Sequence, residues 1–91
     1  MLDFSGYDVP ALMQDALRNY AKFGTPLDDF LEAVMCNDLL TAVKCANADE
    51  MAALKPLTKW ILARAPEGSY GNEAIYRRWL YEKYKNPLEV V

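Results

Sequence analysis

The chain has 91 residues, of which 53% are apolar and 25% charged, with a formal net charge of -3 and no histidine. This apolar content excludes an intrinsically disordered protein, and the negative charge argues against wrapping of duplex DNA, which needs many cations on phosphates. Because so short a chain buries only a modest share of its apolar surface alone, we expect residues 1–91 to form a single helical domain that self-associates.

The first predicted helix covers residues 10–23, with Asp8 as its N-cap and Gly24 as its stop. Its apolar residues recur at steps of three and four and predict one stripe facing a core: Leu12, Met13, Ala16, Leu17, Tyr20 and Phe23.

A second helix is predicted to begin with Thr25 as its cap and Pro26 at its first position. Apolar residues follow at helical spacing: Leu27, Phe30, Leu31, Val34 and Met35. Continuing this helix would place Asn37 and Asp38 on its apolar side, where an unpaired polar group costs about 1–3 kcal/mol. Either the helix breaks and restarts there, or these two residues join a buried network.

Helical periodicity resumes over residues 39–46, and residues 47–49 predict a turn and cap before a long helix over residues 50–65. Pro56 lies inside the long helix and predicts a kink near Lys55 rather than two unrelated helices. After a loop at residues 66–71, Asn72 is predicted to cap a last helix that reaches about Lys85.

Asn86 and Pro87 are predicted to end this last helix. Its predicted packing edge consists of Ile75, Trp79, Leu80 and Tyr84. The sequence therefore predicts an all-α fold of about four to five helices with a proline-kinked long helix, assembling as a homo-oligomer.

Signatures of enzymes and of metal or cofactor sites are missing from the sequence. Without histidine, a general base near neutral pH requires a strongly shifted Lys, Glu or Cys, and neither a phosphate-binding loop nor a nucleophile elbow is present. Cys36 and Cys45 form no CxxC pair, and both are predicted to be small buried hydrophobes. We expect a binding protein without catalytic residues, metal or cofactor.

The first residues lack the charged-then-apolar pattern of a secretory leader, and the apolar runs are shorter than a membrane span. We therefore expect a protein of a reducing cytosol with no membrane partner.

Cations lie close to aromatic residues in two groupings, which matters because rings hold nucleobases and Lys or Arg hold phosphates. In the first, Tyr7 precedes the first helix and Lys22 lies in its last turn, with Arg18 and Asn19 nearby. The second grouping comprises Lys59, Trp60, Arg64, Tyr70, Tyr76, Arg77, Arg78 and Trp79.

Each grouping has a purely structural alternative. A lysine near a helix C-terminus is favoured by the dipole alone, and Tyr7 can pack against the entry of the first helix. Trp60 and Trp79 suit core or interface anchors, and Arg77 and Arg78 suit a solvated face.

Several short motifs together resemble a family of small phage proteins, the anti-CBASS cyclic-oligonucleotide sponges of tailed phages. The resemblance spans roughly residues 8–80. It rests on Phe30-Leu31-x-Ala33-Val34-Met35-x-Asn37-Asp38-Leu39, preceded by Met13-Gln14 and Gly24-x-Pro26 and followed by Ala46-x-Ala48-Asp49, Ala65-Pro66 and Gly68-Ser69-x-Gly71.

The resemblance implies a helical protomer that assembles as a homo-hexamer in the host cytoplasm and sequesters cyclic di- or trinucleotides without cleaving them. CBASS is a bacterial defence in which these nucleotides activate a killing effector, so their removal protects the phage.

Family members hold a cyclic dinucleotide between the N-terminal regions of two protomers, with a tyrosine on the base and a lysine on the phosphate. Tyr7 and Lys22 fit these roles, with Arg18 and Asn19 beside them. Some members have a separate trinucleotide site that uses an arginine, for which Arg64 is the candidate.

The acidic first half and the apolar excess also suit a different class, a phage-type protein-binding inhibitor of a host defence or nucleic-acid enzyme. A ligand-free oligomeric scaffold is a third alternative.

Overall fold

The computed structural model describes residues 2–85, and these form five α-helices and no strand. The helices are α1 (Ala11–Phe23), α2 (Asp29–Met35), α3 (Leu39–Cys45), α4 (Ala48–Arg64) and α5 (Glu73–Lys85). The predicted all-α fold of four to five helices is confirmed. Asn86 and Pro87, predicted to end the last helix, lie outside the described residues.

The predicted end of α1 is confirmed, whereas its predicted cap is wrong. Gly24 adopts the left-handed conformation with φ 69°, and its N–H donates to the carbonyl of Tyr20 at 3.0 Å. A Cβ at Gly24 would lie 2.7 Å from the Cβ of Lys83, so α1 ends in close contact with α5. At the other end, Pro10 occupies the N-cap position without a side-chain hydrogen bond, which leaves Asp8 too far upstream to cap.

The buried face of α1 is narrower than predicted. Leu17 and Tyr20 are fully buried, but Leu12 is 85% exposed and Phe23 is 51% exposed. At about 100° per residue, Leu12 and Phe23 lie roughly 100° around the helix from the centre of the buried face. The predicted stripe is therefore wrong at these two positions.

The second helix begins later than predicted because Asp28, and not Thr25, is its cap. The Asp28 carboxylate accepts a hydrogen bond from the Leu31 N–H at 2.9 Å. The Leu27 N–H donates instead to the hydroxyl oxygen of buried Tyr76 at 3.1 Å, and this bond lies ahead of the first turn of α2.

The helix breaks and restarts at Asn37 and Asp38, which confirms the first of the two predicted alternatives. Asn37 has φ 59°, in the left-handed region that ends helices. The Asp38 carboxylate caps α3 by accepting from the Thr41 N–H at 3.3 Å. Both residues are exposed, so they form no buried network.

The long helix α4 runs through Pro56 as one element, which confirms a single helix there. Its start is a reciprocal capping box: Glu50 N–H donates to Asn47 Oδ1 at 2.8 Å, and Asn47 N–H donates to Glu50 Oε1 at 2.9 Å. Its buried residues are Ala53, Leu57, Trp60 and Ile61.

Two stacked tyrosines join α1 to α5 in the core. The ring centroids of Tyr20 and Tyr76 lie 5.5 Å apart. The Tyr20 hydroxyl donates to the carbonyl of Ser69 at 2.5 Å, and Trp79 Nε1 donates to the carbonyl of Tyr20 at 2.9 Å. Burial raises the pKa of both phenols, so both hydroxyls remain protonated near neutral pH.

The predicted packing edge of α5 is wrong at one position. Asn72 caps the helix as predicted, accepting from the Ile75 N–H at 2.9 Å. Tyr76 is fully buried, and it shares its face with Leu80, four residues on. Tyr84, a further four residues on in the last turn of α5, is 80% exposed.

The two cysteines do not both lie in the core. Cys36 is half-buried and Cys45 is exposed. The prediction fails for Cys45 because α3 buries only Ala42.

Candidate functional site

The N-terminal segment, residues 2–9, runs antiparallel along α1. The Arg18 guanidinium lies 5.0 Å from the ring centroid of Phe4, and Gln14 Nε2 donates to the carbonyl of Val9 at 2.8 Å. Leu2 lies further along the helix and lines the same cavity as Lys22. The segment therefore forms a wall beside one face of α1.

A groove of about 460 Å³ separates this wall from the last two turns of α1. It is lined by Leu2, Arg18, Ala21 and Lys22. Residues four apart in a helix lie on the same side, so both cations can reach one ligand. The volume lies within the usual range for small-molecule sites, about 300–1,000 Å³.

Arg18 is held in place by three neighbours. Besides the Phe4 ring, it donates to Gln14 Oε1 at 3.4 Å and lies 3.6 Å from an Asp15 oxygen. The Asp15 side chain is 70% exposed, and such surface ion pairs contribute only about 0–1 kcal/mol. The guanidinium is therefore oriented while its charge remains available to an anion.

Lys22 is exposed in the last turn of α1, and its Nζ lies 5.2 Å from the ring centroid of Phe23. The structural alternative for Lys22, a cation favoured by the helix dipole, also fits this position. Lys22 also lies in the groove beside Arg18, and the helix dipole alone does not explain this second feature.

Tyr7 lies between Phe4 and Val9 in the N-terminal segment, so it is on the flank of α1 that carries Arg18. Its N–H donates to the carbonyl of Phe4 at 3.0 Å, and its half-buried ring packs against the core. Neither Tyr7 nor Asn19, which is exposed, is among the described residues that line the groove.

Arg64 approaches the same segment from α4. The Ser5 N–H donates to the Asp3 carboxylate at 2.9 Å, and this bond, aided by the positive charge of Arg64, lowers the pKa of Asp3. Trp60, one turn before Arg64, donates from Nε1 to the carbonyl of Asp3 at 3.0 Å. The structure thus brings Arg18 and Lys22 together and places Arg64 at the segment, outside the lining of the groove.

Two of the four rings in the second cation-aromatic grouping, those of Trp60 and Tyr76, are buried in the core and closed to a base. Trp60 is 1% exposed and stacks on Phe4 with ring centroids 4.3 Å apart, which confirms its role as a core anchor. Tyr76 is fully buried, and Arg77 lies 3.7 Å from Glu32 and 3.5 Å from Glu73.

A second cavity, of about 260 Å³, is acidic. It lies between α2, α3 and α5 and is lined by Asp29, Glu32, Ala33, Cys36, Asp38, Thr41, Cys45 and Glu73. Its carboxylates repel a phosphorylated ligand. Within residues 2–85, no cluster of three or more acidic or cysteine side chains is arranged to hold a metal ion.

Sequence reasoning missed Leu2 and Ala21, which complete the lining of the groove, and Phe4, which holds the Arg18 guanidinium. Arg18 and Lys22 are four residues apart, and this spacing could have indicated that they share one face of α1. No local signal indicated that residues 2–4 would pack beside them.

None of the helices within residues 2–85 is long and apolar enough to cross a membrane. Comparison with known protein families, curated proteins and solved structures finds no match to this chain.

Proposed function

We propose that this protein sequesters cyclic oligonucleotide signals without cleaving them, as a homo-oligomer in the cytoplasm of an infected host, and so antagonises CBASS-type defence. The observation that carries the proposal is the convergence of Arg18 and Lys22 on one groove. The resemblance of the sequence to phage sponges supplies the identity of the ligand.

The groove offers a phosphorylated nucleoside the two kinds of contact that it needs. Arg18 presents a planar fork of donors that suits a phosphate, and Lys22 adds a second positive charge. Leu2 and Ala21 provide apolar surface between the cations.

A two-fold symmetric ligand suits two facing grooves. A cyclic dinucleotide has two bases and two phosphates, so an isologous pair of protomers presents the same residues to each half. In this arrangement Lys22 and Arg18 contact the phosphate, and the resemblance to phage sponges assigns a base to Tyr7, whose half-buried ring packs against the core beside the groove. Two stacked bases at about 1–3 kcal/mol each, with charge-assisted phosphate contacts, approach nanomolar affinity only in a preorganised pocket.

The exposed face of α3 is the surface that we assign to self-association. Leu39 is 61% exposed, Leu40 82% and Val43 44%, although they lie next to one another on a short helix. Contiguous exposed aliphatic residues mark protein contacts. A shallow cavity beside this face, lined in part by Val34 and Leu54, can receive a side chain of a second copy.

Leu40→Asp is expected to reduce the assembly to smaller species, because it places a charge in the proposed interface. The matched control is Leu12→Asp, since Leu12 is equally exposed, at 85%, and an acid suits the first turn of a helix. Mass determination by light scattering checks both variants. A monomeric wild-type protein, or dissociation by Leu12→Asp alone, would remove α3 from the interface.

Arg64 provides the proposed trinucleotide site, because it lies exposed at the end of α4 beside the N-terminal segment. In an assembly with three protomers around one axis, three copies of Arg64 can meet the three phosphates of a cyclic trinucleotide.

The same aliphatic face on α3 also suits the rival function, inhibition of a host enzyme by direct contact. The two functions are separated by incubating the protein with a panel of cyclic di- and trinucleotides, removing free ligand, denaturing the protein and identifying the released molecules. We expect intact cyclic nucleotide to be recovered. Converted nucleotide would indicate an enzyme, and no captured ligand would favour the protein-binding inhibitor.

A further inference from the structure

The outward face of the last two turns of α5 combines exposed rings with cations. Tyr81 is 62% exposed and Tyr84 is 80% exposed. The Nζ of Lys85 lies 5.7 Å from the ring centroid of Tyr81, and Arg78 is exposed three residues before Tyr81. Residues three apart in a helix have Cβ atoms about 5–6 Å apart, so the two rings can meet neighbouring groups of one ligand.

Positive charge is concentrated on this part of α5, although the chain as a whole has a net charge of -3. Arg78, Lys83 and Lys85 oppose a single carboxylate, Glu82. Arg77, by contrast, is engaged by two carboxylates from α2 and α5. The end of α5 therefore attracts an anionic partner.

The chemistry of this face differs from that of α3. The large apolar side chains exposed on α5 are the two tyrosines, whereas those on α3 are Leu39, Leu40 and Val43. Aliphatic residues suit a protein surface, while rings interleaved with cations suit stacked bases and phosphates.

We propose that the face formed by Arg78, Tyr81, Tyr84 and Lys85 binds single-stranded nucleic acid. The two rings stack on adjacent bases, and the two cations contact the phosphates that link them. The bases of a duplex are stacked on each other and closed to these rings, so the expectation against duplex binding is unaffected. This inference rests on α5 and not on the groove beside α1.

The test uses a short fluorescein-labelled oligothymidylate strand in low-salt buffer, with binding followed by anisotropy. We expect binding that weakens as salt is added, and weaker binding of a duplex of the same length. The double variant Tyr81→Ala/Tyr84→Ala is expected to lose about tenfold or more in affinity, whereas Tyr81→Phe/Tyr84→Phe keeps the stacking surface and the affinity. Because both side chains are exposed, circular dichroism should show an unchanged fold.

A matched pair of charge variants distinguishes binding of the strand to the α5 face from a general attraction of the strand to positive charge on the protein. Arg78→Gln/Lys85→Gln should weaken oligothymidylate binding, and Lys55→Gln/Lys59→Gln, which removes the same charge from exposed positions on α4, should leave it nearly unchanged. Four results would each overturn the proposal: no binding by the wild type, equal losses in the two charge variants, loss of binding in Lys22→Glu, or preference for phosphatidylserine vesicles over the strand.

Discussion

Lys22→Glu is expected to abolish binding of cyclic dinucleotides while leaving the assembly intact. The substitution reverses the charge of one of the two cations in the groove, so a phosphate loses a charge-assisted contact, worth about 1.5–3 kcal/mol, and meets a repulsive carboxylate instead. In a symmetric pair of protomers each ligand experiences the change twice, and affinity should fall by about a thousandfold or more.

The fold should tolerate this substitution because Lys22 is exposed. An acid near a helix C-terminus costs about 0.3–1 kcal/mol through the dipole. Titration calorimetry measures the affinity, and light scattering measures the assembly. The control is Lys55→Glu, which makes the same charge change on α4 and should bind normally; unchanged affinity in Lys22→Glu would exclude Lys22 from the site.

Trp60→Ala is expected to cost about 3–5 kcal/mol in the free energy of unfolding, the usual range for removal of a buried aromatic side chain. Trp60 is 1% exposed and stacks on Phe4, and its Nε1 holds the carbonyl of Asp3. Since small domains have a total stability of about 5–15 kcal/mol, the loss is a large fraction of the whole. The midpoint of urea unfolding measures it.

In the molecules that remain folded, Trp60→Ala should also lower the affinity for the ligand, because it releases the segment that carries Leu2 to the groove. Trp79→Ala removes a half-buried tryptophan that donates a hydrogen bond to the carbonyl of Tyr20 in α1, so it should lower stability with little change in affinity. If Trp60→Ala does not fold, Trp60→Phe keeps the stacked ring and loses only the hydrogen bond to Asp3. Normal affinity in folded Trp60→Phe and Trp60→Ala would show that the segment is not part of the site.

The sequence predicted the features whose causes are local. Gly24 ends α1 as predicted, and the cap of α4 lies within the predicted residues 47–49. Asn37 with Asp38 separate α2 from α3, which is one of the two predicted alternatives. In each case the residues that determine the conformation lie within four positions of it, so propensity and capping rules apply.

The errors arise where a distant residue decides the outcome. Thr25 has the chemistry of a cap, whose side chain accepts from an N–H two or three residues on. The Leu27 N–H, two residues on, donates instead to Tyr76, 49 residues away in the chain. The wall of the groove likewise depends on a bond between Asp3 and Trp60, 57 residues apart. Periodicity carries no information about such contacts, which is why Lys22 and Arg18 could be chosen from the sequence and Leu2 could not.

The attachment of residues 2–4 to α4 has a dynamic consequence. The N-terminal segment is not helical and is held to α1 and α4 by a few side-chain contacts, so the wall beside Lys22 should open more often than α1 or α4 unfolds. A bound molecule that touches Leu2 slows this opening in proportion to its affinity, and amide protons near the start of the chain should then exchange more slowly with solvent. We expect the ligand to dissociate at the rate at which this wall detaches, so the lifetime of the complex depends on how residues 2–4 are held to α4.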